Sequence, residues 1–260
     1  MRRRVLLAAG ALGVLPAAGA QPARAGGPGT AAGPGTTGGP GGSGGSGDAG
    51  PPGDPAQALA RLRTGNERWV RGQARHPDAS SARRHDLAGG QAPFAVVFTC
   101  VDSRVPPELV FDQGLGDLLV VRTAAHTLDT LVAGSLEYGP VELATPLLLV
   151  LGHQHCGAVT AAVRALREGT PLPGHLAEVA QALRAPCQAV AAADGAPVAE
   201  GEVVEAVVRE QIRQTVARLR ADELLAPAVA AGRLAVRGGY YALDSGVVDL
   251  DPDLAPDLGG

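Results

Sequence analysis

The chain reads as an α/β fold: a mainly parallel β-sheet flanked by helices, with an added edge strand and a C-terminal hairpin. Three observations predict it. Continuous apolar runs at 94–100, 118–122 and 147–151 show no alternation, as expected of strands buried on both faces. Helical segments separate them, the connection a parallel sheet requires. A last stretch, 233–250, breaks at Asp244-Ser245-Gly246, a turn signal between two short strands.

The elements follow in chain order. Asp54-Pro55 is a helix start, with Asp as cap and Pro in the first turn. Leu59, Leu62, Trp69 and Val70 fall near one face of that helix. Pro93 precedes the first strand, Phe94 to Cys100, and Leu118 to Arg122 is the second. Leu131 to Leu143 can form a helix, and Gly139-Pro140 predicts a break in it. Leu147 to Leu151 is the third strand and ends in Gly152-His153. Ala158 to Glu168 is a helix with Arg164 and Arg167 in its last turn, where cations suit the dipole. Gly201 to Ala231 reads as one or two helices, and no internal repeat is visible.

The first fifty residues read as an address and a spacer. Arg2, Arg3 and Arg4 precede the apolar run Val5 to Leu15, then Pro16 and Ala18-Gly19-Ala20. A charged start, a short apolar middle and an A-x-A ending make 1–25 a signal peptide, so an exported protein is expected (secreted, periplasmic or at the cell surface). Its adjacent arginines resemble a twin-arginine signal. The run is too short for a stable membrane span. Residues 26–53 hold 14 Gly and 5 Pro, a flexible linker without a core. The folded domain is then 54–260.

Composition narrows the function. With 260 residues, 45% of them hydrophobic, the chain can bury a real core. Aromatic residues at 3% and a net charge of −4 argue against nucleic acid, which wants stacking platforms and basic surface. All 22 basic residues are Arg, which excludes a Lys Schiff base and a P-loop Lys. Three cysteines are too few for a disulfide scaffold, and there is no C-x-x-C for thiol redox work. Cys187, in an Ala-rich stretch, reads as a free thiol.

The chemistry sits at two strand ends. Sites in open α/β sheets form beyond the carboxyl ends of parallel strands. The first strand ends in Cys100-Val101-Asp102-Ser103-Arg104, and the third in His153-Gln154-His155-Cys156-Gly157. Two Cys and one His are ligands that Zn²⁺ prefers, and they leave a fourth position open. The H-x-x-C spacing lets both side chains turn onto one ion at a helix start, which also favours a thiolate.

Cys-x-Asp-Ser-Arg followed by Gly-His-x-x-Cys-Gly-Ala-Val resembles the β-class carbonic anhydrases. Residues 58–66, Gln91-Ala-Pro, Gly134-Ser-Leu-Glu-Tyr138 and the tail 232–241 fit that family in order, so the likeness covers about 55–250. It implies one Zn²⁺ per subunit on Cys100, His153 and Cys156, with Asp102 as a fourth ligand in some resting states. It implies Asp102 and Arg104 as a catalytic dyad, and Gln91, Tyr138 and the Gly157 N–H lining the substrate pocket. The implied reaction is reversible hydration of CO₂ to bicarbonate and a proton, by attack of zinc-bound hydroxide. Two thiolates cancel the ion's +2 charge, so activity rising toward alkaline pH is expected. The implied assembly is a homodimer or a dimer of dimers, with the first helix packed across the partner through Trp69 and Val70.

Some positions depart from the family pattern. Ala125-His126 stands where Gly-Asn is common, and Gln211 where Asn is usual. His85, His126, His155 and His175 are the candidates for carrying the proton to solvent. Two other readings stay open: a hydrolase of a CO₂ analogue such as carbon disulfide or carbonyl sulfide, and a non-catalytic zinc- and bicarbonate-binding protein.

Overall fold

The structure, a computed structural model, describes residues 53–250. The segment read as a signal peptide, all but the last residue of the segment read as a linker, and the chain after 250 lie outside the described residues. In chain order the elements are α1 (Pro55–Val70), α2 (Ser81–Asp86), β1 (Ala95–Cys100), α3 (Pro107–Val110), β2 (Leu118–Thr123) and α4 (Thr130–Glu142). There follow β3 (Leu147–His153), α5 (Gly157–Glu168), α6 (Leu176–Ala182), α7 (Arg184–Ala192), α8 (Glu200–Arg220), α9 (Ala226–Ala230), β4 (Ala235–Tyr241) and β5 (Val248–Asp249).

Five strands form one sheet in the order β2-β1-β3-β4-β5. The first three pairings are parallel and β5 returns antiparallel along β4, the expected hairpin. Every residue of β1 and β3 is buried, which is why both read as unbroken apolar runs. β2, at the outer edge, is half-buried throughout. Side chains alternate between two cores. Val96, Phe98 and Cys100 join Val159, Val208 and Ile212 on the face covered by α5 and α8. Ala95, Val97, Leu149 and Leu151 join Ala58, Leu62 and Phe111 on the face covered by α1 and α3.

Helix α1 begins as predicted, with the Asp54 carboxylate accepting the Gln57 N–H at 2.9 Å. Its buried stripe is Ala58, Leu62, Gly65 and Asn66. Gly65 lies so close to α3 that a Cβ there would stand 1.7 Å from the Phe111 carbonyl oxygen. The Trp69 indole N–H donates to the Tyr241 hydroxyl at 3.2 Å, so this side chain engages its own hairpin rather than only a second subunit.

The predicted break at Gly139-Pro140 does not occur: α4 runs through both residues to Glu142. Pro140 lacks one N–H, but the turn survives because Gly139 seats the helix against the sheet. A Cβ at 139 would stand 2.5 Å from Val96 Cγ2. The Gly139 carbonyl then accepts the N–H groups of Leu143 and Thr145, which closes the helix. Gly201 to Ala231 resolves into two helices, α8 and α9. Among the described residues, no helix is long and apolar enough to cross a membrane.

Candidate metal centre

Parallel register carries β1 and β3 to the same edge: Thr99 pairs with Leu151, so Cys100 and, one residue beyond its level, His153 emerge at that edge. Cys156 caps the N-terminus of α5. The two Sγ atoms are 4.0 Å apart. The ligand atoms of Cys100, His153 and Cys156 all lie within 4.8 Å of one another, and all three residues are buried. Two sulfurs at about 2.3 Å from one tetrahedral Zn²⁺ stand about 3.8 Å apart, so the spacing suits that ion.

The imidazole is set for the same purpose. His153 Nδ1 lies 2.9 Å from the Gln154 carbonyl oxygen, an acceptor, so Nδ1 carries the proton and Nε2 keeps its lone pair. Nε2 is buried and has no protein partner. A buried acceptor beside two thiols is a donor set that fits a metal ion. The Cys156 hydrogen bond drives the Cys100 thiol well below its ordinary value, against burial and with help from the Asp102 and Ala125 N–H groups. One sulfur of the pair is thus a ready thiolate, while the Cys156 thiol is pushed up by its partner and by burial.

Beside the ligands stands the predicted dyad. Asp102 Oδ1 accepts from the Arg104 backbone N–H and Nε, both at 2.9 Å, and Oδ2 accepts from the guanidinium NH2 group at 2.7 Å. That bidentate fork is a geometry only Arg provides. It holds the Asp102 carboxyl down to about 2, so the group is acceptor-only at any working pH. Asp102 Oδ2 is 3.9 Å from His153 Nε2, facing the ligand position. Arg104 also donates to the His155 carbonyl at 3.3 Å, tying the two strand-end loops together.

Gly157 begins α5 directly after Cys156. Gln91 and Tyr138 are not brought to the site by the same chain. Gln91 precedes β1, at the opposite end from Cys100 of a strand that itself spans about 17 Å. It lines a surface cleft with Arg84, Leu87 and Leu115. Tyr138 is 46% exposed on α4, and its neighbour Gly139 packs on Val96 near the start of β1. Of the four proton-carrier candidates, only His155 is both exposed and at the site, and its N–H donates to Glu205 Oε1 at 2.9 Å. Arg122 was not anticipated. From the end of β2 it donates to the carbonyls of Cys100 and Asp102 and so fixes the first loop. The only signal was a charge closing an apolar strand.

A buried Cys₂His ligand set at the carboxyl edge of a parallel sheet, with an arginine-held carboxylate beside it, defines a metal-dependent α/β enzyme. The carbonic anhydrase family model matches residues 95–248. The chain belongs to the β-carbonic anhydrase family, and its reading as an enzyme stands with that membership. It is 43% identical over 193 residues to carbonic anhydrase 2 of Mycobacterium tuberculosis, covering 74% of this chain and 90% of that protein. It is 40% identical over 206 residues to the carbonic anhydrase of Mycolicibacterium smegmatis, covering 79% and 97%. The fold is shared with the tetrameric β-carbonic anhydrases of Sordaria macrospora, at a TM-score of 0.60 and 23% identity over 75% of this chain and 96% of that one.

Proposed function

We propose that the chain catalyses reversible hydration of carbon dioxide to bicarbonate and a proton, with one zinc ion per subunit on Cys100, His153 and Cys156. The observation that carries this reading is the convergence of three buried ligand atoms within 4.8 Å, with Asp102 Oδ2 3.9 Å from one of them. When bound, zinc supplies Lewis acidity that makes water a nucleophile near neutral pH. The chain's own residues do the rest. Asp102, held as an acceptor, orients the nucleophile's proton away from the carbon under attack. Arg104 keeps Asp102 in that pose through three hydrogen bonds. Both Asp102 oxygens are thereby occupied, which supports the orienting role. A turn as fourth ligand requires Arg104 to let go.

Gln91 and Tyr138 reach a site of this kind from a neighbouring subunit, as pocket residues of a homodimer or a dimer of dimers. The edge strand β2 and helix α4 support that assembly. Leu131 is 83% exposed, and Val101, between a ligand and the dyad, is 56% exposed. Exposed apolar side chains on these elements, one of them beside the ligands, suit a second copy. Export through the 1–25 signal remains the proposed destination, on the charged, apolar and A-x-A pattern alone.

Stopped-flow CO₂ hydration by the purified chain, from about pH 6.5 to about pH 9 with metal analysis, tests the reaction. The expected result is a rate that rises with pH and vanishes on zinc removal. Zinc bound with no rate at any pH overturns it and turns attention to the CO₂ analogues or to bicarbonate binding.

A further inference from the structure

The turn after β2 holds the most strained backbone near the ligands. Ala125 (φ 52°, ψ 29°) and His126 (φ 43°) stand one after the other in the left-handed region. Neither is glycine, so the conformation is disfavoured twice in succession. Strain of this kind persists only where the surroundings over-determine it.

The surroundings do. The Thr123 hydroxyl donates to the Thr127 carbonyl at 2.8 Å, and the Thr127 N–H to the Ala124 carbonyl at 3.2 Å, closing the turn on itself. Both strained side chains are buried. The His126 ring meets Phe98 edge-on, with centroids 6.2 Å apart. The His126 carbonyl accepts from Gln211 Nε2 at 3.4 Å, a bolt reaching across from α8. The product of this arrangement is one contact: the Ala125 N–H points at Cys100 Sγ, 3.3 Å away.

We propose that this turn tunes the metal, with Gln211 as the positioning residue that holds the Ala125 N–H on the Cys100 sulfur. The proposal rests on the reading of Cys100 as a metal ligand. Two thiolates neutralise a divalent ion and blunt its Lewis acidity. A hydrogen bond to one sulfur withdraws part of that donated charge, which is how N–H···S contacts set the properties of other thiolate-bound metals. A connection alone between β2 and α4 calls for none of this. A glycine turn would make it without strain, and without burying a histidine whose two ring nitrogens have no protein partner.

The test uses the full chain loaded with cobalt(II), as wild type, Gln211→Met and Ala125→Gly. Met keeps the volume of Gln and removes the amide donor. The sulfur-to-cobalt charge-transfer band is expected to move to longer wavelength in Gln211→Met, and the apparent metal affinity to fall about tenfold. Ala125→Gly keeps the N–H, so the band is expected to hold its position while thermal stability rises. An unmoved band in Gln211→Met overturns the proposal. A wild type with no such band overturns the ligand reading itself. Should Gln211→Met fail to fold, the wild type loaded with cadmium-113 decides: scalar coupling between the metal and the Ala125 amide proton is expected, and its absence overturns the proposal.

Discussion

Two buried polar clusters lie on opposite faces of the same sheet, and they differ in how their hydrogen bonds are used. Under α1, both polar atoms of the Asn66 side chain are engaged. Its Nδ2 donates to the Val110 carbonyl at 3.1 Å and the Gly246 carbonyl at 2.9 Å, and its Oδ1 accepts the Val248 N–H at 2.9 Å. Asp112 is filled likewise, by Arg68 Nε and the N–H groups of Arg75 and His76. Burial pushes its carboxyl up, but these donors more than offset it and hold it low. At the carboxyl edge, His153 Nε2 and both ring nitrogens of His126 are buried with no protein partner. A satisfied cluster is a staple; an unsatisfied one is a place prepared for something else.

Mutations should break the two clusters in different ways. The largest effect belongs to Cys156→Ser. Metal analysis should show the ion lost, with CO₂ hydration falling about a thousandfold or more. Normal metal content would mean the open valences serve another purpose. Arg104→Ala comes next. It should keep the metal but lose about a hundredfold in stopped-flow turnover, because the acceptor beside the site is no longer fixed. Asp102, freed of its partner, should then titrate nearer the ordinary value of about 3.9.

Across the sheet, Asn66→Ala should show the opposite pattern. Metal content and turnover per folded molecule should stay, while three hydrogen bonds, two of them buried, are lost for about 4 kcal/mol. Thermal denaturation should show a midpoint lower by about 10 °C. Loss of metal in this variant would erase the distinction between the clusters.

The smallest effect concerns pH. Burial holds the His126 imidazole down to about 4, well below its ordinary value. The unfolded chain takes up a proton below about pH 6.5 and the folded one does not until about pH 4. The stabilising term is therefore whole above about pH 6.5 and is lost as pH falls through that window, by up to about 3 kcal/mol. Equilibrium unfolding of His126→Asn, a residue that tolerates the left-handed region, should lack this slope.

Much of this was legible in the sequence, and the exceptions have physical causes. β1 and β3 announced themselves because strands buried on both faces need unbroken apolar runs. The ligands announced themselves because metal chemistry restricts residue type and spacing. Gly65 and Asn66 stand in the 58–66 family pattern, but their roles do not show there, because a polar or small residue on a helix looks like its solvent side until a neighbour is known to approach. Gly139-Pro140 misled because the same pair that ends a free helix can seat a packed one. α6 and α7 lie in Ala-rich sequence with little periodic contrast and were not assigned. Gln91 and Tyr138 match the family pattern, but a linear motif does not say which copy of the chain a residue serves.

The Asn66 clasp also orders events in time. Its partners Gly246 and Val248 lie 180 and 182 residues further along the chain. Of the described elements α1 emerges first, yet these two of the groups that pin it are among the last described residues to leave the ribosome. Contacts of such long sequence separation close late, since their loop entropy is met only after the intervening sheet exists. The first described helix is therefore held early on its Val110 and Asp112 side and late on its hairpin side. Until residue 248 is free, the hairpin side of α1 stays open to chaperones and to other chains.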